Sequence, residues 1–68
     1  MKNVNTIGIK IKKLRKGKGL TAEELGRFLG VSQQHVSRYE RGVSLVNIDI
    51  LIKLSFIFKV TIGELTKN

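Results

Sequence analysis

The chain has 68 residues with no cysteine, no proline and one histidine, so it fits one small domain without disulfides or thiolate metal sites. Its formal net charge of +8 predicts a polyanionic partner, either nucleic acid or an anionic membrane surface. No apolar run reaches the roughly 18 residues of a membrane span, and the N-terminus lacks the apolar core of a signal peptide. We therefore expect a cytoplasmic protein, associated with the nucleoid if its partner is DNA, with no cofactor and no metal.

The first predicted helix covers about residues 7–16. Ile7, Ile11 and Leu14 recur at helical spacing and mark its core face. Gly17 and Gly19 end it, since glycine accepts the left-handed conformation of a helix C-cap. The preceding residues 1–6 are a candidate flexible arm of a single domain that spans residues 1–68. Basic residues crowd this part of the chain, with no acid before Glu23: Lys2, Lys10, Lys12, Lys13, Arg15, Lys16 and Lys18.

Two short helices joined by a tight turn are predicted over residues 22–29 and 33–41. Thr21 and Glu24 have the spacing of a capping box for the first of them, and Ser32 caps the second. Glycines at both C-termini end the helices. The residues that we expect to face inward are Leu25, Phe28, Leu29, Val36 and Tyr39.

A fourth helix is predicted over residues 48–58, with Asn47 as its N-cap, and Thr61 caps a short fifth helix that ends at Leu65. The core side of the fourth helix is predicted to carry Ile48, Leu51, Leu54 and Phe58. Further apolar residues then exceed what one face needs: Ile50, Ile52, Phe56 and Ile57. A surplus of this kind, next to the apolar loop at residues 43–46, marks either a subunit interface or extra core area in a small domain. The expected dimer interface comprises Leu45, Val46, Ile52 and Phe56.

The order and spacing of these segments resemble the phage-repressor and Cro class of helix-turn-helix proteins, often called the XRE family. The matching segments are KLR at 13–15, GLT at 19–21, EL at 24–25, LGVS at 29–32, VSRYERG at 36–42 and VTIGEL at 60–65. The resemblance covers about residues 7–65. It implies an all-α fold, a compact five-helix bundle of the lambda-repressor-like type, in which residues 33–41 form the recognition helix.

The resemblance also implies the residues that would bind DNA. Glutamine amides suit an adenine edge and arginine suits a guanine edge in the major groove, so the expected base contacts are Gln33, Gln34, Ser37 and Arg38. The expected phosphate contacts are Thr21, Ser32, His35, Arg41, Lys10 and Lys13. The alternative is that this polar face and these lysines are merely solvated.

Other positions match the family or depart from it. Arg15 and Glu40 lie where the family has an internal ion pair between the first helix and the recognition helix, the alternative being two separate surface charges. Ala22 replaces a glutamine that commonly bonds a phosphate, and Lys59 replaces a glycine. His35 is not expected to bind a metal, and with no nucleophile–base constellation we expect no enzyme.

The combined interpretation is a sequence-specific, dimeric regulator of transcription from a prokaryote or phage, more simply a repressor than an activator. It would bind double-stranded DNA at an inverted repeat, with recognition helices about 34 Å apart. The main alternative is an antitoxin-type interaction module, in which the surplus apolar surface binds a small toxin protein instead of a twin. A basic helix lying on a membrane surface is a further alternative, but the sequence continues into a packed domain pattern.

Overall fold

The computed structural model describes residues 6–67, which form five helices and no strand. The helices are α1 (Thr6–Gly17), α2 (Ala22–Leu29), α3 (Gln33–Arg41), α4 (Ile48–Phe58) and α5 (Ile62–Thr66). The predicted all-α bundle is confirmed, with every boundary within one residue of the expected one. Most of the expected N-terminal arm lies outside the described residues, and Thr6 already belongs to α1. Over residues 6–67, no helix combines the length and the apolarity that crossing a membrane requires.

Local side-chain chemistry begins four of the helices. The predicted N-caps Thr21, Ser32, Asn47 and Thr61 each accept a hydrogen bond from a backbone N–H in the first turn. At Thr21 and Thr61 the backbone N–H also donates to the glutamate three residues later, which completes a capping box. These bonds satisfy donors that an isolated helix end leaves open. The helix starts are therefore encoded within single turns of sequence.

The core lies between α3 and the helices around it. Both α1 and α2 pack against α3, while α4 packs on α2 and α5, and α5 returns to α1. Ten buried apolar side chains form one cluster. Its members are Ile11, Leu25, Leu29, Val36, Tyr39, Ile50, Leu51, Leu54, Phe58 and Leu65.

Two residues expected in the core are exposed, and one expected outside it is buried. Phe28 is 60% exposed and Ile48 is 58% exposed, whereas Ile50, expected to be surplus, is 6% exposed. The exposure of Phe28 follows from the position of Gly26, which faces the turn before α3. The two residues lie about 200° apart around α2, so Phe28 points away from that turn. In α4 the buried line passes through Ile50 and Leu54, which turns Ile48 outward.

Gly26 brings α2 close to the turn that leads into α3. A Cβ at this position would lie 2.6 Å from the carbonyl oxygen of Val31 and 3.3 Å from the carbonyl carbon of Ser32. The Val31 N–H donates to the Gly26 carbonyl at 2.9 Å. The angle between α2 and α3 therefore depends on the missing side chain.

Two lysines join helices that are distant in sequence. The Lys53 ammonium on α4 donates to the carbonyl oxygen of Leu29, the last residue of α2, at 3.2 Å. The Lys10 ammonium on α1 donates to the carbonyls of Glu64 and Lys67 at the end of α5. Cations at helix C-termini satisfy open carbonyls and complement the helix dipole.

Lys59 ends α4 in the left-handed conformation, with φ of 56°, and is the only described non-glycine residue with positive φ. Because a side chain costs about 1 kcal/mol in that region, Lys59→Gly should raise the free energy of unfolding by about 1 kcal/mol. Lys59→Ala is the control, since it removes the same charge but keeps a Cβ. Thermal unfolding of both variants measures the effect, and a lower melting temperature for the glycine variant would contradict it.

Candidate nucleic-acid interface

The outward face of α3 carries the four side chains predicted to contact bases. Gln33, Gln34 and Arg38 are exposed and Ser37 is half-buried. Gln34, Ser37 and Arg38 share a shallow depression of about 340 Å³ with Arg41, and a second of about 190 Å³ adjoins it at Gln34 and Arg38. None of the four side chains hydrogen-bonds to another residue in the range 6–67. Their amide, hydroxyl and guanidinium groups are thus available to a ligand.

The opposite face of α3 is fixed in the core. Val36 is fully buried and Tyr39 is 4% exposed, and burial raises the pKa of the Tyr39 hydroxyl above its usual value. The ring of His35 lies 4.7 Å from that of Tyr39, centroid to centroid, at an interplanar angle of 49°. The ring contact places His35 on the flank of the helix, between the buried side and the outward face.

The N-termini of α2 and α3 each carry a capping hydroxyl. The hydroxyl oxygens of Thr21 and Ser32 accept bonds from the backbone N–H groups of Glu24 and His35 at 3.0 and 3.1 Å. Each hydroxyl keeps its own hydrogen for donation to another acceptor. The first turns of α2 and α3 also present backbone N–H groups, which favour anions.

The expected ion pair between Arg15 and Glu40 is present. Arg15 Nε lies 2.7 Å from Glu40 Oε2, and the side chains are 12% and 7% exposed. The second guanidinium nitrogen donates to Glu40 Oε1 at 3.1 Å, and the third donates to the Leu20 carbonyl at 2.9 Å. The hydrogen bond to Glu40 raises the pKa of Arg15, against a smaller lowering by burial. One guanidinium therefore connects α1, the loop before α2 and the end of α3.

The remaining predicted phosphate contacts separate into two groups. Lys13 and Arg41 are exposed, whereas the Lys10 ammonium is held at the end of α5. No sequence signal identifies this role of Lys10, because its acceptors are backbone carbonyls 54 and 57 residues away. Two lysines of the same helix thus differ in whether the ammonium group is already hydrogen-bonded within the protein.

An apolar strip runs along the outside of α4. Ile48, Ile52 and Phe56, four residues apart and so in line on the helix, are 58%, 40% and 76% exposed. Leu45 in the preceding loop is 96% exposed, and Val46 is half-buried against the core. We call Leu45, Ile48, Ile52 and Phe56 the α4 strip. The sequence identified three of its members and missed Ile48, which was assigned to the core.

The site contains no arrangement suited to metal chemistry. Within residues 6–67, no cluster of three histidine, cysteine, aspartate or glutamate side chains is close enough to hold an ion. The exposed side chains of α3 are instead rich in hydrogen-bond donors and positive charge, and a short turn joins α3 to α2. This arrangement defines a helix-turn-helix unit formed by α2 and α3.

Comparison with known proteins confirms the class. The helix-turn-helix family model matches residues 11–65, and the chain belongs to this family. The operator-bound structure of the P22 c2 repressor superimposes with a TM-score of 0.83 and 30% identity, covering 90% of this chain and 92% of the repressor chain. Both the family and the fold are those of DNA-binding regulators rather than enzymes.

Two curated relatives are longer than this chain. An HTH-type transcriptional regulatory protein of Pyrococcus furiosus is 43% identical over 51 residues, which are 75% of this chain and 16% of the relative. Antitoxin PezA of Streptococcus pneumoniae is 44% identical over 45 residues, which are 66% of this chain and 28% of the relative. The chain thus spans less than a third of the length of either relative.

Proposed function

We propose that this chain is the sequence-specific DNA-binding domain of a transcription regulator, with α3 in the major groove of double-stranded DNA. The observation that carries the proposal is the division of α3 into a buried side and an outward polar side. The buried side packs into the core through Val36 and Tyr39. The outward side carries Gln33, Gln34, Ser37 and Arg38. The P22 c2 repressor, whose structure is similar, is bound to its operator.

The side chains on this face match the chemistry of base edges. An amide donates and accepts at once, as adenine requires at N6 and N7, and a guanidinium gives two donors to guanine O6 and N7. Gln34 and Arg38 are one turn apart, so they would reach neighbouring base pairs along the groove. We assign base contact to these two residues together with Gln33 and Ser37.

Phosphate contacts would fix the position of α3 on the duplex. Thr21 and Ser32 offer hydroxyl donors at the positive ends of α2 and α3. His35 and Arg41 line the depressions on the outward face, and Lys13 on α1 shares a groove with Arg41. Lys10 belongs to this set only if it releases the carbonyls of α5. The backbone amides near Ala22 take the place of the glutamine that the family commonly has there.

A two-fold dimer would place two such helices in successive major grooves. The α4 strip, with Val46 beside it, offers several exposed apolar side chains, and exposed apolar surface of this kind marks interfaces. Two recognition helices about 34 Å apart require an inverted repeat. Occupation of a promoter by such a dimer in the cytoplasm, at the nucleoid, would repress transcription.

Selection of bound sequences from a random duplex pool tests this function. We expect enrichment of an inverted repeat whose half-site centres are about 10 base pairs apart. A single unsymmetrical half-site would contradict the dimer but keep the base-reading role. A pool that is not enriched at all would contradict sequence-specific binding.

Substitution on the outward face should then reduce specificity. Gln33→Ala and Arg38→Ala should each weaken binding to the selected duplex by about tenfold, with a smaller loss on random-sequence DNA. Arg27→Ala is the charge-matched control for Arg38→Ala, since Arg27 is an exposed arginine on α2. Fluorescence anisotropy measures both affinities, and equal losses on the two DNAs would contradict base contact by Gln33 or Arg38.

A second candidate function is that of an antitoxin, which the identity with PezA favours. In that case the α4 strip would bind a small toxin protein rather than a second copy. Coexpression with the product of a neighbouring small gene distinguishes the two. A stable heteromeric complex that protects Phe56 from solvent supports the antitoxin, and a homodimer unaffected by that product contradicts it.

A further inference from the structure

A basic groove lies between α1 and the C-terminal end of α3, outside the predicted base-contacting face. Its volume is about 580 Å³, and its lining consists of Ile9, Lys12, Lys13, Lys16, Glu40 and Arg41. Glu40 is the acid of the lining and is already paired with Arg15. Within residues 6–67, none of the three lysines forms an ion pair, nor does Arg41. The groove is therefore a concentration of uncompensated positive charge.

Arg41 connects this groove to the outward face of α3. It lines the depression shared with Gln34, Ser37 and Arg38, and it lines the basic groove as well. A helix inserted in a major groove about 12 Å wide has a sugar-phosphate backbone along each edge. The cations of the basic groove lie next to the base-contacting residues, so they are placed to contact the sugar-phosphate backbone rather than a base.

We propose that the basic groove binds the sugar-phosphate backbone bordering the major groove at the C-terminal end of α3, with Lys12 and Lys16 as contacts beyond those already assigned. This inference rests on the proposed DNA-binding function and extends its footprint along α1. Lysine ammonium groups act as compact point charges without the fork geometry of arginine. They would therefore add affinity for any sequence, leaving discrimination to α3.

The apolar part of the lining fits the same ligand. Ile9 on α1 is 43% exposed and lines the groove. Its side chain and the methylene stems of the lysines offer an apolar surface to deoxyribose, while the ammonium groups face the phosphates. A small inorganic anion would use the charges but not this surface. The combination favours a polymer backbone.

Salt titration of matched lysine variants tests the inference. The probes are the duplex enriched by selection and a random-sequence duplex of equal length. Each phosphate contact contributes about 0.9 to the slope of log affinity against log salt concentration. Lys12→Gln should reduce the slope by about 0.9 on both probes, and replacing Lys12, Lys13 and Lys16 together should reduce it by about 2–3. Lys67→Gln, an exposed lysine beyond α5, should leave it unchanged.

The outcomes separate this inference from the function on which it rests. Circular dichroism checks that each variant is folded. If Lys12→Gln changes the slope no more than Lys67→Gln while the unaltered chain still prefers the selected duplex, the groove is not a backbone contact and the DNA-binding function stands. If the unaltered chain binds neither duplex, the DNA-binding function itself fails.

Discussion

Arg15→Met should lower the free energy of unfolding by about 2 kcal/mol, because it removes the charged hydrogen bonds of a carboxylate that is largely shielded from water. The Glu40 side chain is 7% exposed, and both of its carboxylate oxygens accept bonds from Arg15. The substitution also removes the donor to the Leu20 carbonyl. Urea unfolding followed by circular dichroism measures the loss.

Two further variants show what the loss means. Arg27→Met removes an arginine from an exposed pair with Glu23, 3.7 Å apart, in which the side chains are 73% and 66% exposed. That change should cost at most about 0.5 kcal/mol. The double variant Arg15→Met with Glu40→Leu should recover most of the stability, since apolar residues of similar volume often replace a buried pair without loss. Equal effects of Arg15→Met and Arg27→Met would contradict the stabilising role of the partly buried Arg15–Glu40 pair.

Gly26→Ala should lower the free energy of unfolding by about 2 kcal/mol or more. The new Cβ would lie 2.6 Å from the Val31 carbonyl oxygen, so the backbone of the turn has to move. Alanine favours a helix over glycine by about 1 kcal/mol, and the collision must exceed this gain. For a domain of this size we expect the melting temperature to fall by about 10 °C.

Gly17→Ala is the matched control for Gly26→Ala. Gly17 is the last residue of α1, and a Cβ there would meet no described atom within 4 Å. This substitution should raise the free energy of unfolding by about 0.4–1 kcal/mol, chiefly by restricting the unfolded chain. The comparison is by calorimetry, and a Gly26→Ala variant as stable as Gly17→Ala would show that the two helices do not approach as closely as described.

The features predictable from sequence are those encoded within a few neighbouring residues. Thr21, Ser32, Asn47 and Thr61 each begin a helix through a bond spanning three residues, so their positions fix the helix starts. The outward placement of Gln33, Gln34 and Arg38 follows from helical periodicity once the buried Val36 is recognised. The Arg15–Glu40 pair spans 25 residues and was accessible only through the family resemblance.

The orientation of a strongly apolar helix was not predictable in the same way. Every turn of α4 offers several large apolar residues, so more than one face satisfies the helical pattern. In the structure α4 packs against α2 and α5 with Ile50 on its buried face. The hydrogen bond from the Lys53 ammonium to the Leu29 carbonyl at the end of α2 is consistent with this orientation. Such selection depends on the relative placement of helices, which no local pattern contains.

The lysines of α1 illustrate the same limit for charge. A one-signed cluster predicts a polyanion, but it does not say which ammonium groups are free to meet one. Lys10 is used within the protein at the end of α5, while Lys12, Lys13 and Lys16 open onto a common groove. Whether an ammonium group is free depends on neighbours distant in sequence, such as the Lys67 carbonyl that accepts a bond from Lys10.

The two-sided character of α3 has a consequence for how such a domain diversifies. The anchoring residues Val36, Tyr39 and Glu40 belong to the bundle, and the outward Gln33, Gln34 and Arg38 bond to nothing else among residues 6–67. Substitutions at the outward positions should therefore change the free energy of unfolding very little. Under the proposed function, a few substitutions at these positions would change the DNA sequence that is bound while the protein stays folded.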